Sequence, residues 1–222
     1  MARKSITALR DHDKLELRFA YTVDFRHMTS TKIANEKENW NRRYRDGTHS
    51  SLQPDSFLVS TFDEYIQPDF PNAGSALDVA GGVGRHAIWL ARRQWQVTLI
   101  DISEVGVEKA RENARDLSHR IEFRVADLRD FEAGSERYDL ILVFFYLQRS
   151  IFPELVASLR RGGLLIYKTY TLEQQRFSGG PSHPMHLLRP NELLRAFSKL
   201  RTLYYRETTH ERGVAEFVGR KP

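Results

Sequence analysis

Apolar and polar residues alternate from Leu15 to Phe25. Leu15, Leu17, Phe19, Tyr21, Val23 and Phe25 are separated by Glu16, Arg18, Ala20, Thr22 and Asp24. A period of two predicts a half-buried strand, which here covers a sheet edge or pairs with another chain. Residues 1–14 are polar and carry no such pattern. From Ala34 to Tyr44 the spacing changes to that of a short helix, with Trp40 and Tyr44 four apart on one face, and Asp46-Gly47 ends it. After Pro54 a second helix runs to about Ile66 with Phe57, Leu58, Phe62 and Tyr65 as its apolar positions. Pro68 and Pro71 are expected to close it.

From Ala76 to Tyr170 short apolar runs alternate with helical spacing, which predicts βαβ units on a parallel sheet. Strands are expected at Ala76–Ala80, Gln96–Asp101, Ile121–Val125, Tyr138–Phe144 and Leu164–Tyr170. The fourth is almost wholly apolar and therefore central. Helices are expected at Arg85–Arg93, from a Ser103 cap to about Leu117, and at Ile151–Arg160, ended by Gly162-Gly163. Thr171–Leu188 reads as a long irregular segment, the kind that is usually functional or mobile. Pro190 opens a helix over Asn191–Phe197. Leu200–Glu207 and Val214–Val218 read as a closing pair, antiparallel because only TTHERG joins them. The fold class is α/β.

Composition adjusts this picture in three ways. The chain has 222 residues, 41% hydrophobic and 28% charged, enough for a packed core and for one domain with a small appendage. It has no cysteine, which excludes disulfides and thiolate metal sites. No stretch approaches a membrane span and the start lacks the apolar core of a secretory signal, so the expected location is cytoplasmic. The net charge of +5 is uneven: residues 1–50 carry 11 Lys/Arg against 7 Asp/Glu, and residues 189–222 carry 8 against 4. The two basic ends allow a nucleic-acid patch, although no run of like charges marks one.

Candidate chemistry collects at the carboxyl ends of the strands, where open α/β sheets bind ligands. In LDVAGGVGRHA, Leu77–Ala87, Gly82 and Gly84 let the backbone approach a ligand, and the following amides face an anion. This turn suits a dinucleotide and a nucleoside sulfonium alike. Asp101 ends the second strand, where a carboxylate can accept both hydroxyls of a ribose; its alternative role is to cap the next helix. Asp127, in VADLRDF, stands where an adenine amino group would lie, with the Leu128 amide beside it; its alternative is a turn residue. Asp78 can orient the loop or meet an ammonium group, directly or through water.

The segments LDVAGGVGRHAIWLA, VTLIDIS, VADLRDF and YDLILVFFYLQRSIFPELVASLRRGGLLIYKTY resemble a class I S-adenosylmethionine-dependent methyltransferase. More narrowly, the chain is similar to the bacterial tellurite-resistance-type methyltransferase group over about residues 36–222. That group often reads WNxRY before the core, matched by Trp40, Asn41, Arg43 and Tyr44, and its tail is similar to KTYTLEQQRFSGGPSHPMHLLRPNELLRAF. The resemblance implies a Rossmann-like, doubly wound, seven-stranded, mostly parallel sheet with the last strand antiparallel. It divides the chain into an N-terminal extension, residues 1–33, and a methyltransferase domain, residues 34–222, whose residues 34–70 form a helical cap. It implies S-adenosyl-L-methionine as cofactor, held by Trp40, Tyr44, Asp78, Ala80, Gly81, Gly82, Gly84, Asp101, Ile102, Asp127, Leu128, Phe144 and Tyr146. Three residues depart from the pattern: Gly81 stands in place of a cysteine and is expected to loosen the turn, Gln148 replaces a histidine, and Lys168 replaces a glutamate.

Methyl transfer from a sulfonium needs positioning above all. Aromatic rings can face the cation, and Trp40, Tyr44, Phe145 and Tyr146 are candidates; a folded-over helix would make Trp40 and Tyr44 a lid. Tyr146, Arg149 and His183 are the candidates for a catalytic role. His186 shares the His183 loop, and Arg149 and Lys168 can bind an anionic acceptor or pair with a neighbouring acid. HPMH lacks the donors of a metal site, and no metal is expected. The expected function is methyl transfer to a small-molecule acceptor by a monomer or homodimer. An RNA-directed methyltransferase, an NAD-linked oxidoreductase and a non-enzymatic nucleic-acid-binding module are the alternatives. Asp127 and the closing antiparallel pair argue against NAD, and the absence of an NPPY-type sequence argues against action on base amines.

Overall fold

Seven apolar runs become strands: β1 (Ser75–Val79), β2 (Gln96–Asp101), β3 (Ile121–Val125), β4 (Tyr138–Phe144), β5 (Leu159–Tyr170), β6 (Arg201–Thr208) and β7 (Val214–Arg220). The structure is a computed structural model that describes residues 30–130 and 132–222. The strand expected over residues 15–25 lies outside the described residues. The chain divides into Met1–Glu36, of which only the start of a helix is described, and Lys37–Pro222.

The strands form one sheet in the order β3-β2-β1-β4-β5-β7-β6. The first five run parallel, and β7 is antiparallel to both β5 and β6. Winding goes one way from β1 to β3 and the other way from β4 onward. The switch lies between β1 and β4, and the crevice at their carboxyl ends is where such sheets bind ligands.

Pleating sends alternate residues to opposite faces. Ala76, Leu140, Leu142, Leu164 and Ile166 pack on one face with Phe57, Ala87 and Val107. Leu77, Ile141, Val143, Leu165 and Tyr167 pack on the other with Phe152, Leu155 and Leu193. The first face carries α2 (Ser56–Thr61), α4 (Arg85–Ala91) and α5 (Glu104–Ala114); the second carries α6 (Phe152–Ser158) and α7 (Glu192–Ala196). Two apolar faces on β4 explain its nearly continuous apolar run.

The helices differ from the sequence expectations in their ends. The first, α1, spans Ser30–Arg45 and so starts before Ala34. The second does not stop at Pro68. A π-helical turn over Phe62–Ile66 carries α2 into α3 (Gln67–Asp69). Its wider i→i+5 winding relieves the clash between a proline ring and the carbonyl four residues back. Ser103 caps α5 as expected, its Oγ accepting from the Gly106 N–H at 3.0 Å. That helix ends at Ala114 because Arg115 turns to φ 48. Helix α6 ends at Ser158 rather than at the glycine pair. Leu159 already pairs with Tyr138, and residues 160–163 bulge within β5 before Leu164 pairs with Leu140. Pro190 precedes α7 by two residues, with Asn191 in the left-handed N-cap.

Among the described residues, no helix is long and apolar enough to cross a membrane, and no group of three His, Asp or Glu is arranged to hold a metal ion.

Candidate functional site

The turn after β1 is held by its own left-handed residues: Ala80 at φ 54, Gly82 at φ 54 and Gly84 at φ 85. For Ala80 this conformation costs roughly 1–2 kcal/mol, so the surrounding structure must enforce it. The Gly81 N–H donates to the Ile100 carbonyl at 3.1 Å and the Gly84 N–H to the Gly81 carbonyl at 3.0 Å. Gly81 does not loosen the turn as expected from its sequence. A β-carbon there would lie 2.8 Å from Leu99 Cγ and 2.9 Å from Asp78 Oδ2, so the space is filled.

Asp101 closes β2 almost out of solvent, 5% exposed. Its Oδ2 accepts from the Gly82 N–H at 2.9 Å and its Oδ1 from the Ser103 N–H at 2.8 Å. Two amides thus fix the carboxylate between the glycine turn and the start of α5. The Tyr44 ring lies over the same place. Its hydroxyl touches the space in front of Gly82, and a β-carbon on Gly106 would meet its Cε2 at 2.8 Å. Burial, then the charge of Asp101, holds the Tyr44 phenol well above its ordinary pKa. Trp40 stacks on Tyr44 with centroids 5.7 Å apart, and His49 meets Trp40 edge-on at 5.5 Å.

Asp78 is buried beneath the turn and accepts from the Ala87 N–H at 3.1 Å. Burial pushes its carboxyl up to about 7, against the lowering effects of that N–H and of Arg85. His86 lies beside it, Nδ1 to Oδ1 4.0 Å, too far for a hydrogen bond. Its Nε2 accepts from the Asp55 N–H at 3.3 Å, which assigns the ring proton to Nδ1. Burial, reinforced by Arg85 and Lys168, holds His86 well below its ordinary pKa and therefore neutral.

Asp127 follows β3. Its carboxylate accepts from the Arg129 backbone N–H at 3.0 Å and from Arg129 Nε at 2.9 Å. Burial raises this carboxyl, but the hydrogen bonds and charge of Arg129 outweigh it and hold it below the ordinary range. Leu128 beside it is buried.

Residues 76–163 match a family model described as a methyltransferase domain. The chain is 39% identical over 70 residues to the release factor glutamine methyltransferase of Streptococcus pneumoniae. That match spans 31% of this chain and 24% of the relative. The fold is similar to a Burkholderia thailandensis 1,6-didemethyltoxoflavin-N1-methyltransferase, at TM-score 0.65 and 15% identity, covering 90% of this chain and 93% of that one. It is also similar to TehB from Haemophilus influenzae, at TM-score 0.64 and 17% identity, covering 82% and 67%. Residues 76–163 are thus similar to a methyltransferase domain, and the fold is that of solved methyltransferases. The expected seven-stranded sheet with its antiparallel closing strand stands, and TehB shares that fold.

The structure brings Tyr44, Gly82 and Asp101 together, with Ala80, Gly81, Asp78 and Ile102 as neighbours along the turn and β2. Asp127 and Leu128 stand after the neighbouring strand. Phe144 lies on the other side, its ring 4.2 Å from that of His86. Phe145 takes φ 57 and donates its N–H to the Lys168 carbonyl at 2.7 Å. The Tyr146 carbonyl accepts from the Tyr167 hydroxyl at 2.9 Å.

The structure gives Arg149 a structural partner. It pairs with Glu192 and donates to the Met185 and Leu187 carbonyls, both at 2.9 Å, clamping the 171–188 segment to α7. His183 is exposed and its Nδ1 accepts from the Met185 N–H at 3.2 Å; His186 is 6.2 Å away, ring to ring. Gln148 bonds Ser150 at 2.8 Å. Lys168, 7% exposed, pairs with Asp55 at 2.8 Å and Glu216 at 3.1 Å. Sequence pattern alone does not single out Arg85, His86, Asp55 or Glu216. Arg85 and His86 stand inside the quoted glycine motif, whereas Asp55 and Glu216 carry no local signal.

Proposed function

We infer that this protein is an S-adenosylmethionine-dependent methyltransferase acting on a small-molecule acceptor. The observation that carries the reading is the Asp101 carboxylate, fixed by the Gly82 and Ser103 amides at the end of β2 inside the matched domain. A carboxylate so placed suits a ribose diol, and beside it the Asp127 carboxylate as acceptor with the Leu128 N–H as donor suits an adenine edge. The chemistry of these residues fits the nucleoside. S-adenosylmethionine, held by Asp101, Gly82, Asp127 and Leu128, would supply an activated methyl group on sulfur to the acceptor's lone pair.

The chain's own residues supply position and enclosure. Asp101, Gly82 and Ala80 set the floor. Trp40 and Tyr44, in the proposed cap of residues 34–70, cover it and keep water out. Phe144, Phe145 and Tyr146 form the wall toward the acceptor, whose rings suit a cation.

Calorimetric titration with S-adenosylhomocysteine tests the reading. Saturable one-to-one binding is the expected result. Absence of heat at millimolar ligand would overturn it.

A further inference from the structure

Directly after the glycine turn stands a cation that the donor reading leaves unused. Arg85 is the first residue of α4, partly buried. Its guanidinium lies 5.9 Å from the Phe145 ring centroid. Among the described residues it makes no ion pair or hydrogen bond to a carboxylate. Most guanidiniums that face the interior here are neutralised: Arg149 by Glu192 and Arg129 by Asp127. Lys168, over the same Phe145 ring at 5.8 Å, is taken by Asp55 and Glu216.

The acids near Arg85 do not balance it. Asp78 is buried, bonded to the Ala87 amide and only part-ionised near neutral pH. Asp101 is bonded to two amides on the β2 side. A second guanidinium, Arg43, lies 4.8 Å from the Trp40 ring in the cap and likewise makes no ion pair among the described residues. Arg43 and Arg85 both depress His49, whose burial is the larger cause, so the two positive charges converge on one region. Beside Arg85 the wall is aromatic: Phe145 stands 5.1 Å from Tyr170, ring to ring, and both are partly exposed.

We propose that Arg85 anchors an anionic group on the methyl acceptor, so that the acceptor is a carboxylate-bearing molecule whose apolar or aromatic body lies along Phe145 and Tyr170. This rests on the methyltransferase reading above. A guanidinium offers a carboxylate two parallel N–H donors, and a desolvated aromatic wall strengthens that pairing.

The test uses wild type, Arg85→Gln and Arg85→Lys, each titrated with S-adenosylhomocysteine and then, in its presence, with benzoate and with the neutral isostere benzamide. Thermal melts confirm that each variant is folded. The expected result is that benzoate binds the loaded wild type at least about tenfold more tightly than benzamide. Arg85→Gln removes that preference, Arg85→Lys keeps part of it, and both bind S-adenosylhomocysteine within about twofold of wild type. Equal affinity for benzoate and benzamide, or no benzoate binding, overturns the anion site while leaving the donor reading intact. A loss of S-adenosylhomocysteine affinity in Arg85→Gln with benzoate preference retained overturns it too, by assigning the guanidinium to the donor's own carboxylate. Failure of wild type to bind S-adenosylhomocysteine overturns the donor reading instead.

Discussion

The hydroxyl of Tyr44 fills the space in front of Gly82, so the helix carrying Trp40 closes onto the turn that follows β1. A methyl group at position 82 has nowhere to go, and φ 54 adds strain. Gly82→Ala should cost roughly 2–4 kcal/mol, the strain of a left-handed alanine plus overpacking. Tyr44→Phe removes the atom in contact, so the double variant should recover part of the loss. Chemical denaturation of the four proteins of this cycle checks it, and strict additivity would mean the two residues do not touch in solution.

Asp101→Ala should weaken S-adenosylhomocysteine binding by roughly 1–3 kcal/mol, the range for losing a buried hydrogen-bond partner. It also leaves the Gly82 and Ser103 amides without their acceptor, so the melting temperature should fall as well. Calorimetry and a thermal melt on the same sample separate the two effects. Unchanged affinity would place the ribose elsewhere.

Asp78 makes stability depend on pH. Its folded-state pKa, about 7, lies above the ordinary carboxyl value of 3.8. Between those values the folded protein holds a proton that the unfolded chain has released, so stability falls as pH rises through the window and levels off above it. The slope contributed is roughly 1.4 kcal/mol per pH unit at most. Asp78→Asn keeps an oxygen for the Ala87 amide and should flatten this decline. Denaturation curves from pH 4 to pH 8 for both proteins decide it; parallel curves would assign the decline to other groups.

Lys168 stands between two carboxylates in a dry part of the sheet. Removing the cation leaves Asp55 and Glu216 facing one another, and Lys168→Met should cost roughly 3–5 kcal/mol, as breaking a buried pair from one side does. Glu216→Gln keeps one pairing and should cost clearly less. Equal losses in urea titrations would show that the charge balance of the group is unimportant.

Much of the sheet was legible because its signal is local. The runs Gln96–Asp101, Ile121–Val125 and Tyr138–Phe144 end in the structure where apolar periodicity ends in the sequence. Asp101 was legible as an acid at a strand end, but not its two amide partners, Gly82 and Ser103, which lie on either side of it in the fold. The misread boundaries have tertiary causes. Gly162-Gly163 reads as a helix stop, yet Leu159 is drawn into β5 by pairing with Tyr138. Arg149 reads either as an anion binder or as the partner of an acid, and that acid, Glu192, lies 43 positions away. Glu216 meets Lys168 only through the antiparallel register of β5 and β7, where the two are direct partners. Such pairings depend on register, which no spacing within one segment encodes.

Because β7 lies between β5 and β6, the sheet's outer edge is fastened to the rest of the sheet through that one strand. If Val214–Arg220 separates from β5, Arg201–Thr208 leaves with it, and Glu216 is drawn away from Lys168 in the same event. The amides of both outer strands should therefore exchange their hydrogens as one unit, and the buried lysine should report each opening.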